Sequence, residues 1–116
     1  MTYRFSIPLD YSGTNFVKAG TSDYKYLKMM IPKKYNGGYH VYEFVKINIV
    51  LVEHDKKEPM NQAIMTHSSL VDLSKIMVKS LRGIAYDSLS QVVSVNASKY
   101  NGEKEKIDVE VIMYEE

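Results

Sequence analysis

Aromatic and basic side chains alternate between residues 24 and 46. Six of the chain's 10 tyrosines and 3 phenylalanines lie there, namely Tyr24, Tyr26, Tyr35, Tyr39, Tyr42 and Phe44. Five lysines are interleaved with them, namely Lys25, Lys28, Lys33, Lys34 and Lys46. Aromatic faces stack on unpaired bases, and ammonium groups replace the counterions of a phosphate backbone. The combination is typical of a surface that binds single-stranded nucleic acid with little base preference.

Other site chemistries have no support in the sequence. The chain contains no cysteine, which excludes disulfides, thiolate metal sites and a cysteine nucleophile. His40, His54 and His67 match no metal-binding spacing. The sequence contains neither a Gly-x-Ser-x-Gly elbow nor a Gly-rich phosphate-binding motif. We therefore expect a protein that is not an enzyme and that binds neither a metal nor a cofactor.

Length and composition predict a single domain over residues 1–116. Its 45% hydrophobic and 25% charged residues are ordinary for a globular protein. The longest apolar run, residues 47–52, is interrupted by Asn48 and is far too short to cross a bilayer. We see no signal peptide behind Met1. A cytoplasmic protein that does not enter the membrane is expected.

Charge is unevenly distributed along the chain, although its net value is only +1. Residues 1–50 carry seven basic and three acidic side chains, and residues 51–116 carry eight basic and eleven acidic ones. Either one basic working face lies in the first half, or the charges of a short chain scatter by chance.

Hydrophobic alternation predicts strands over residues 3–7, 24–31, 39–53, 89–97 and 105–114. Pro8 ends the first strand, and residues 10–23 form a long polar loop. Residues 33–38 are expected to turn between the second and third strands, because Asn-Gly suits a tight hairpin. Residues 85–93 fit either a strand or a helix.

One helix is predicted, over residues 69–82. Ser69 can cap its N-terminus, with Asp72 completing a capping-box-like pair, and Gly83 can end it. Its apolar stripe consists of Leu70, Leu73, Ile76, Met77 and Leu81.

The predicted order of three strands, a helix and two strands is that of the five-stranded oligonucleotide-binding (OB) barrel. We therefore expect a mainly β (α+β) fold, an OB-like barrel with its one helix between strands three and four. A ferredoxin-like fold needs a helix right after the first strand, and residues 10–23 supply none. A parallel α/β fold needs several crossover helices.

Strand parity predicts a binding platform on the second and third strands. Inward residues of the third strand would be Val45, Ile47, Ile49 and Leu51. Outward residues of the two strands would be Tyr24, Tyr26, Lys28, Tyr42, Phe44 and Lys46. The same rings could instead stabilise the sheet by cross-strand pairing, or belong to a subunit interface.

A four-residue repeat, Lys-Tyr-Asn-Gly, occurs at residues 34–37 and 99–102. As hairpin tips, both copies would place a ring and a cation where the loops of an OB barrel wrap nucleic acid. The candidate binding residues at the tips are Lys33, Lys34, Tyr35, Lys99 and Tyr100. The alternative is that each repeat is simply a tight turn.

By strand order, tyrosine- and lysine-rich strands and small size, the whole chain resembles the OB-fold single-stranded-DNA-binding proteins of tailed phages of the lactococcal type. The resemblance implies a protein that coats single-stranded DNA in the host cytoplasm during replication and recombination. It also implies a recombinase as a partner. A homodimer or higher oligomer is expected, with the edge strand 105–114 as a pairing site.

The alternative function is a small phage or viral protein that binds and modulates a host protein, because tyrosine is also favoured at protein interfaces. Salt separates the two hypotheses. DNA binding through lysines weakens steeply as salt rises, whereas an interface of tyrosine and methionine does not.

Overall fold

Four strands form one mixed sheet. They are β1 (Thr2–Pro8), β2 (Phe44–Glu53), β3 (Val92–Asn101) and β4 (Lys106–Tyr114). Within the described residues, two α-helices accompany the sheet, α1 (Ser22–Lys34) and α2 (Leu70–Leu81). This computed structural model describes residues 1–9, 22–54, 56–57, 59–61 and 69–114. The predicted loop over residues 10–23 therefore falls mostly outside the described residues.

The strands lie in the order β1-β4-β2-β3. β4 is antiparallel to both of its neighbours, whereas β2 and β3 are parallel. β3 and β4 follow each other in the chain but are separated in the sheet by β2. The predicted dimer contact along residues 105–114 is therefore wrong, because β4 is already paired on both sides.

Strict alternation buries one face of the sheet. Residues 45, 47, 49 and 51 of β2 and residues 107, 109, 111 and 113 of β4 are all buried, as their alternation predicts. β1 contributes Ile7 to the same core and packs Tyr3 and Phe5 against it. The predicted first, third and last strands are thus confirmed, although β2 begins only at Phe44.

α2 confirms the predicted helix. The side chain of Ser69 accepts a hydrogen bond from the backbone N–H of Asp72 at 3.2 Å, which caps the N-terminus. Gly83 follows the C-terminus with a φ of +86°, a conformation that favours glycine. Leu73 and Met77 are fully buried, and the helix packs against β2 and β3.

α1 occupies the position where alternation predicted the second strand, over residues 24–31, and that prediction is wrong. Leu27 and Ile31 are fully buried, whereas Met29 between them is 51% exposed. In a strand all three would share one face, but in a helix residues four apart share a face and residues two apart do not. Packing against β1 and α2 selects the helical period.

The first Asn-Gly dipeptide consequently follows a helix and joins no hairpin. Glycine is needed at position 37 for a different reason, which is close packing. A Cβ there would lie 2.4 Å from Cγ of Tyr3 and 2.6 Å from the hydroxyl of Tyr35. The segment after it is held by a hydrogen bond of 2.8 Å from the N–H of His40 to the carbonyl of Ala85.

The expected five-stranded barrel is wrong as well. The described residues form four strands, and the sheet stays open with β1 and β3 at its edges. A helix does lie between the first two strands, contrary to the reasoning that excluded ferredoxin-like arrangements. The ambiguous residues 85–93 contain a short 3₁₀ turn over Leu89–Gln91, after which β3 begins. The broad α+β class is confirmed.

Candidate functional site

Both helices pack on one face of the sheet, and no described helix covers the opposite face, which we call the open face. Alternation and register place the following side chains on it: Thr2, Arg4, Ser6 and Pro8 of β1; Lys106, Asp108, Glu110, Ile112 and Tyr114 of β4; Phe44, Lys46, Asn48, Val50 and Val52 of β2; and Ser94, Asn96, Ser98 and Tyr100 of β3. The open face is therefore a grid of four strands that water or a ligand can reach.

Two aromatic rings lie side by side at one end of the open face. Phe44 and Tyr114 are directly opposite each other in the register of β2 and β4. They are 37% and 42% exposed. Opposite residues of antiparallel strands have Cβ atoms about 5 Å apart, so the two side chains leave the sheet from neighbouring positions on the open face.

A third ring lies at the other end. Tyr100 of β3 is opposite Val52 of β2 and is 43% exposed. Phe44 and Val52 are eight residues apart on one strand, which corresponds to about 26 Å. The ring pair and Tyr100 are thus separated by the length of several nucleotides.

A hydrogen-bonded row crosses all four strands between the rings. Nε of Arg4 donates to Oε2 of Glu110 at 2.8 Å, and Nδ2 of Asn48 donates to Oε1 of the same carboxylate at 2.8 Å. Nδ2 of Asn96 donates to Oδ1 of Asn48 at 3.2 Å. These hydrogen bonds, that of Asn48 foremost, lower the pKa of Glu110.

The next row carries a second compensated carboxylate. Asp108 accepts a hydrogen bond from the hydroxyl of Ser6 and forms an ion pair with Lys106 at 3.3 Å. A shallow depression of about 530 Å³ lies over these two rows. Its polar walls are side chains that already have hydrogen-bond or ion-pair partners.

Lys46 is the cation closest to the ring pair along β2. It lies opposite Ile112 and Ser94, two residues from Phe44. Among the described residues, no carboxylate forms an ion pair with it. Lys46 nevertheless has Glu110 as an acidic neighbour, because its charge helps to lower the pKa of that carboxyl, but unlike Arg4 and Lys106 it makes no close ion pair.

The predicted site residues on residues 24–35 do not reach this face. α1 packs on the helix-covered side, so Lys28, Lys33 and Lys34 lie with it. The hydroxyl of Tyr26 donates to the carbonyl of Pro8 at 2.6 Å, which ties α1 to the end of β1. The side chain of Tyr24 lies outside the described residues.

Tyr35 is a core residue. It is 7% exposed, and its ring packs edge-on against Tyr3 and Phe5 with centroids 5.6 and 6.0 Å apart. Its hydroxyl donates to the carbonyl of Gly38. Burial raises the pKa of Tyr35 to about 12. The first Lys-Tyr-Asn-Gly repeat is therefore a packing element and its tyrosine cannot stack on a base.

The second repeat differs from the first. Lys99 and Tyr100 belong to β3, where alternation places Tyr100 on the open face and Lys99 on the other side. Asn101 is buried, and its Nδ2 donates to the carbonyl of Pro59 at 3.3 Å. The two copies of the repeat thus share a sequence but neither a structure nor a position.

The structure places Phe44, Lys46 and Tyr100 on one face, and Tyr42 lies in the bend just before β2. Tyr42 is 88% exposed. Sequence reasoning missed Tyr114 and Arg4. Both could have been found, because the alternation of the last strand gives Tyr114 the parity of Glu110, and the first strand turns Arg4 away from its apolar residues.

The two described histidines differ: Nδ1 of His54 is buried without a hydrogen-bond partner, whereas both ring nitrogens of His40 have close neighbours. Nε2 of His40 lies 3.1 Å from the hydroxyl of Tyr3, and its Nδ1 lies 3.3 Å from Oε1 of Glu43. A hydrogen bond from the residue's own backbone, followed by that from His40, lowers the pKa of Glu43. Within the described ranges, no three His, Asp or Glu side chains are grouped so that they could hold a metal ion.

The helices of the described part of the chain are all too short or too polar to cross a membrane. No known family model matches the chain, and a search of curated proteins finds none that is significantly similar to it.

Proposed function

We propose that the protein binds single-stranded DNA on its open face, with little base preference, and coats it during phage replication and recombination. The observation that carries the proposal is the Phe44–Tyr114 pair, two half-exposed rings in direct register, with Lys46 next to them. Such rings stack on any base, and the ammonium group contacts the backbone phosphate.

The rest of the open face supports the same function. Between the ring pair and Tyr100, the face presents amides and hydroxyls, including Asn48, Asn96 and Ser98, which can accept or donate hydrogen bonds to bases and sugars. Its two carboxylates already have Arg4 and Lys106 as partners. The face therefore does not repel a polyanion as unpaired acids would.

The experiment is a fluorescence-anisotropy titration of labelled oligo-dT and of a duplex of equal length at several salt concentrations. We expect tighter binding to the single strand, because a duplex hides the faces of its bases. Equal affinity for both would contradict a stacking platform.

A matched pair of variants locates the binding face. Replacing Lys46 and Lys106 by Ala removes two cations from the open face, and replacing Lys33 and Lys34 by Ala removes two from the helix layer. The first variant should lower the salt slope by up to about 1.4, at roughly 0.7 per lost phosphate contact, and the second should leave it unchanged. The opposite result would place the DNA on the helix layer.

A homo-oligomer and a recombinase partner remain predictions. With β4 paired on both sides, an edge-to-edge oligomer would have to use β1 or β3. Light scattering of the free protein and of its complex with oligo-dT tests the oligomer, and a strict monomer in both states would contradict it.

A further inference from the structure

A shallow apolar groove lies between the outer side of α2 and the start of β3. Its lining consists of Ser74, Lys75, Val78, Lys79, Leu89 and Val95. Leu89 and Val95 are 39% and 37% exposed, and Val93 beside them is 58% exposed. The groove has a volume of about 250 Å³. The groove is small, and an apolar depression rimmed by polar residues is a candidate place for another chain to bind.

The outer edge of β3 runs along this groove, and among the described residues the N–H of Asn61 donates to the carbonyl of Asn101 at the end of that edge at 2.9 Å. The N–H of Gly102 donates to the carbonyl of Glu53 on β2 at 2.9 Å. Because main-chain groups alternate between the two sides of a strand, Val95 and Ala97 direct theirs away from β2. Among the described residues, no backbone group bonds to them on that outer side. An extended segment can therefore add to the sheet beside the groove.

The charges around the groove select its occupant. Lys75 and Lys79 rim it, no carboxylate lines it, and neither lysine forms an ion pair with a described residue. This basic rim lies within the half of the sequence that is acidic in total. A second copy of the chain is disfavoured, because a two-fold contact would bring the lysine pairs of both copies together.

We propose that the groove and the Val95–Ala97 edge of β3 bind an extended segment of a partner protein, in which a short apolar stretch is flanked by acidic residues. The segment adds to the sheet beside β3. Its apolar side chains contact Val78 and Leu89, and its carboxylates pair with the lysine rim. This site lies outside the open face and does not depend on DNA binding there.

The test uses a fluorescein-labelled decapeptide with a Val-Thr-Ile-Thr-Val core flanked by Asp and Glu, and a second peptide with Lys at the flanks. Fluorescence anisotropy should show binding of the acidic peptide only. Replacing Lys75 and Lys79 by Glu should weaken it about tenfold, through the loss of two ion pairs and the added repulsion. The matched control, Lys33→Glu with Lys34→Glu on α1, should bind as the parent does.

A second variant and an NMR measurement address the groove itself. Val95→Glu puts a carboxylate among the apolar contacts and should abolish binding of the acidic peptide. Circular dichroism shows whether this variant is folded. If Val95→Glu is unfolded, the milder Val95→Thr variant is used and should weaken binding. Amide shifts caused by the acidic peptide in the parent protein should cluster at residues 74–79 and 93–97.

Four results would overturn the proposal. They are equal binding of both peptides, no effect of the Lys75/Lys79 reversal, shifts confined to the open face, and light scattering that shows a dimer which Val95→Glu dissociates. Displacement of the acidic peptide by oligo-dT from the wild-type protein but not from the Phe44→Ala/Tyr114→Ala variant would also count against it, because it would place peptide and DNA on one surface.

Discussion

Removing the Phe44–Tyr114 ring pair is the most direct perturbation of the open face. Stacking on a base is worth about 1–3 kcal/mol per ring as judged by alanine substitution, so Phe44→Ala and Tyr114→Ala should each weaken oligo-dT binding by about 5- to 150-fold. Because the two side chains are direct cross-strand neighbours, their effects should not simply add. The double variant therefore measures whether both rings hold the same base.

The same substitutions have a predictable effect on stability. A cross-strand aromatic pair contributes roughly 0.2–1 kcal/mol, which corresponds to a decrease in Tm of about 1–6 °C for a domain of this size. Both variants should therefore remain folded at 25 °C. Tyr39→Ala is the control, because Tyr39 is 49% exposed but lies outside the open face, where its hydroxyl donates to Asp87 at 2.6 Å. The Tyr39→Ala variant should bind oligo-dT with the affinity of the parent protein.

Fluorescence anisotropy with labelled oligo-dT and a thermal melt of each variant are the two measurements. If the double variant melts within a few degrees of the parent and still binds oligo-dT equally well, the rings are packing residues. The reasoning that places DNA on the open face would then fail, whatever the affinity of the parent.

Three further predictions follow from hydrogen bonds and burial. Glu110→Gln removes one negative charge from the open face and should tighten oligo-dT binding about twofold, for a phosphate about 8 Å away in water. The pKa of Glu110 is lowered in the fold, so the carboxylate stabilises the protein above about pH 4.5 and this contribution is lost as the pH falls. The melting temperature of the Glu110→Gln variant should therefore depend less on pH in the acid range. Tyr86→Phe removes the hydroxyl that donates to the carbonyl of Val78 and should cost about 1 kcal/mol in urea unfolding, with DNA binding intact. Burial raises the pKa of Tyr35 to about 12, so its contribution to stability is complete below pH 10 and lost towards pH 12, and Tyr35→Phe should flatten that alkaline decline.

The elements predicted correctly are those whose residues fit only one period. Residues 45–51 and 107–113 alternate without exception, and the stripe from Leu73 to Leu81 fits only a helix. Capping by Ser69 and the positive φ of Gly83 could be predicted because both depend on neighbours in the sequence. These features are local, so the sequence alone is enough to predict them.

The errors arose where two periods fit the same residues. Leu27 and Ile31 are four apart, which satisfies both an alternating strand and one face of a helix, and the tyrosines nearby favour a strand. Only the exposure of Met29 distinguishes the helix from the strand. Sheet order is harder still, because β3 pairs with β2 across the whole of α2, and no local pattern encodes a parallel pairing.

The candidate site was predictable in its chemistry but not in its position. Phe44 and Lys46 have the right parity in their own strand, so a prediction strand by strand finds them, whereas Tyr100 was predicted at a hairpin tip and lies within β3. Tyr35 looked equivalent to Tyr100, since both stand in the same four-residue repeat, yet one is buried against Tyr3 and the other lies on the open face. A ring's environment depends on the tertiary neighbours, which the repeat does not specify.

The composition of the open face is itself an argument for a ligand. An uncovered sheet face is stable in water when its side chains are polar and satisfied, and the row from Arg4 through Glu110 and Asn48 to Asn96 meets that condition across all four strands. This hydrogen-bonded row occupies the centre of the open face, and the aromatic rings of the face lie at its two ends. Phe44 and Tyr114 depart from that composition, as do Val50, Val52, Ile112 and Tyr100, and they place two half-exposed rings at directly opposite positions of β2 and β4. A stacked base would cover that apolar surface, and this is the contribution that the ring-pair variants measure.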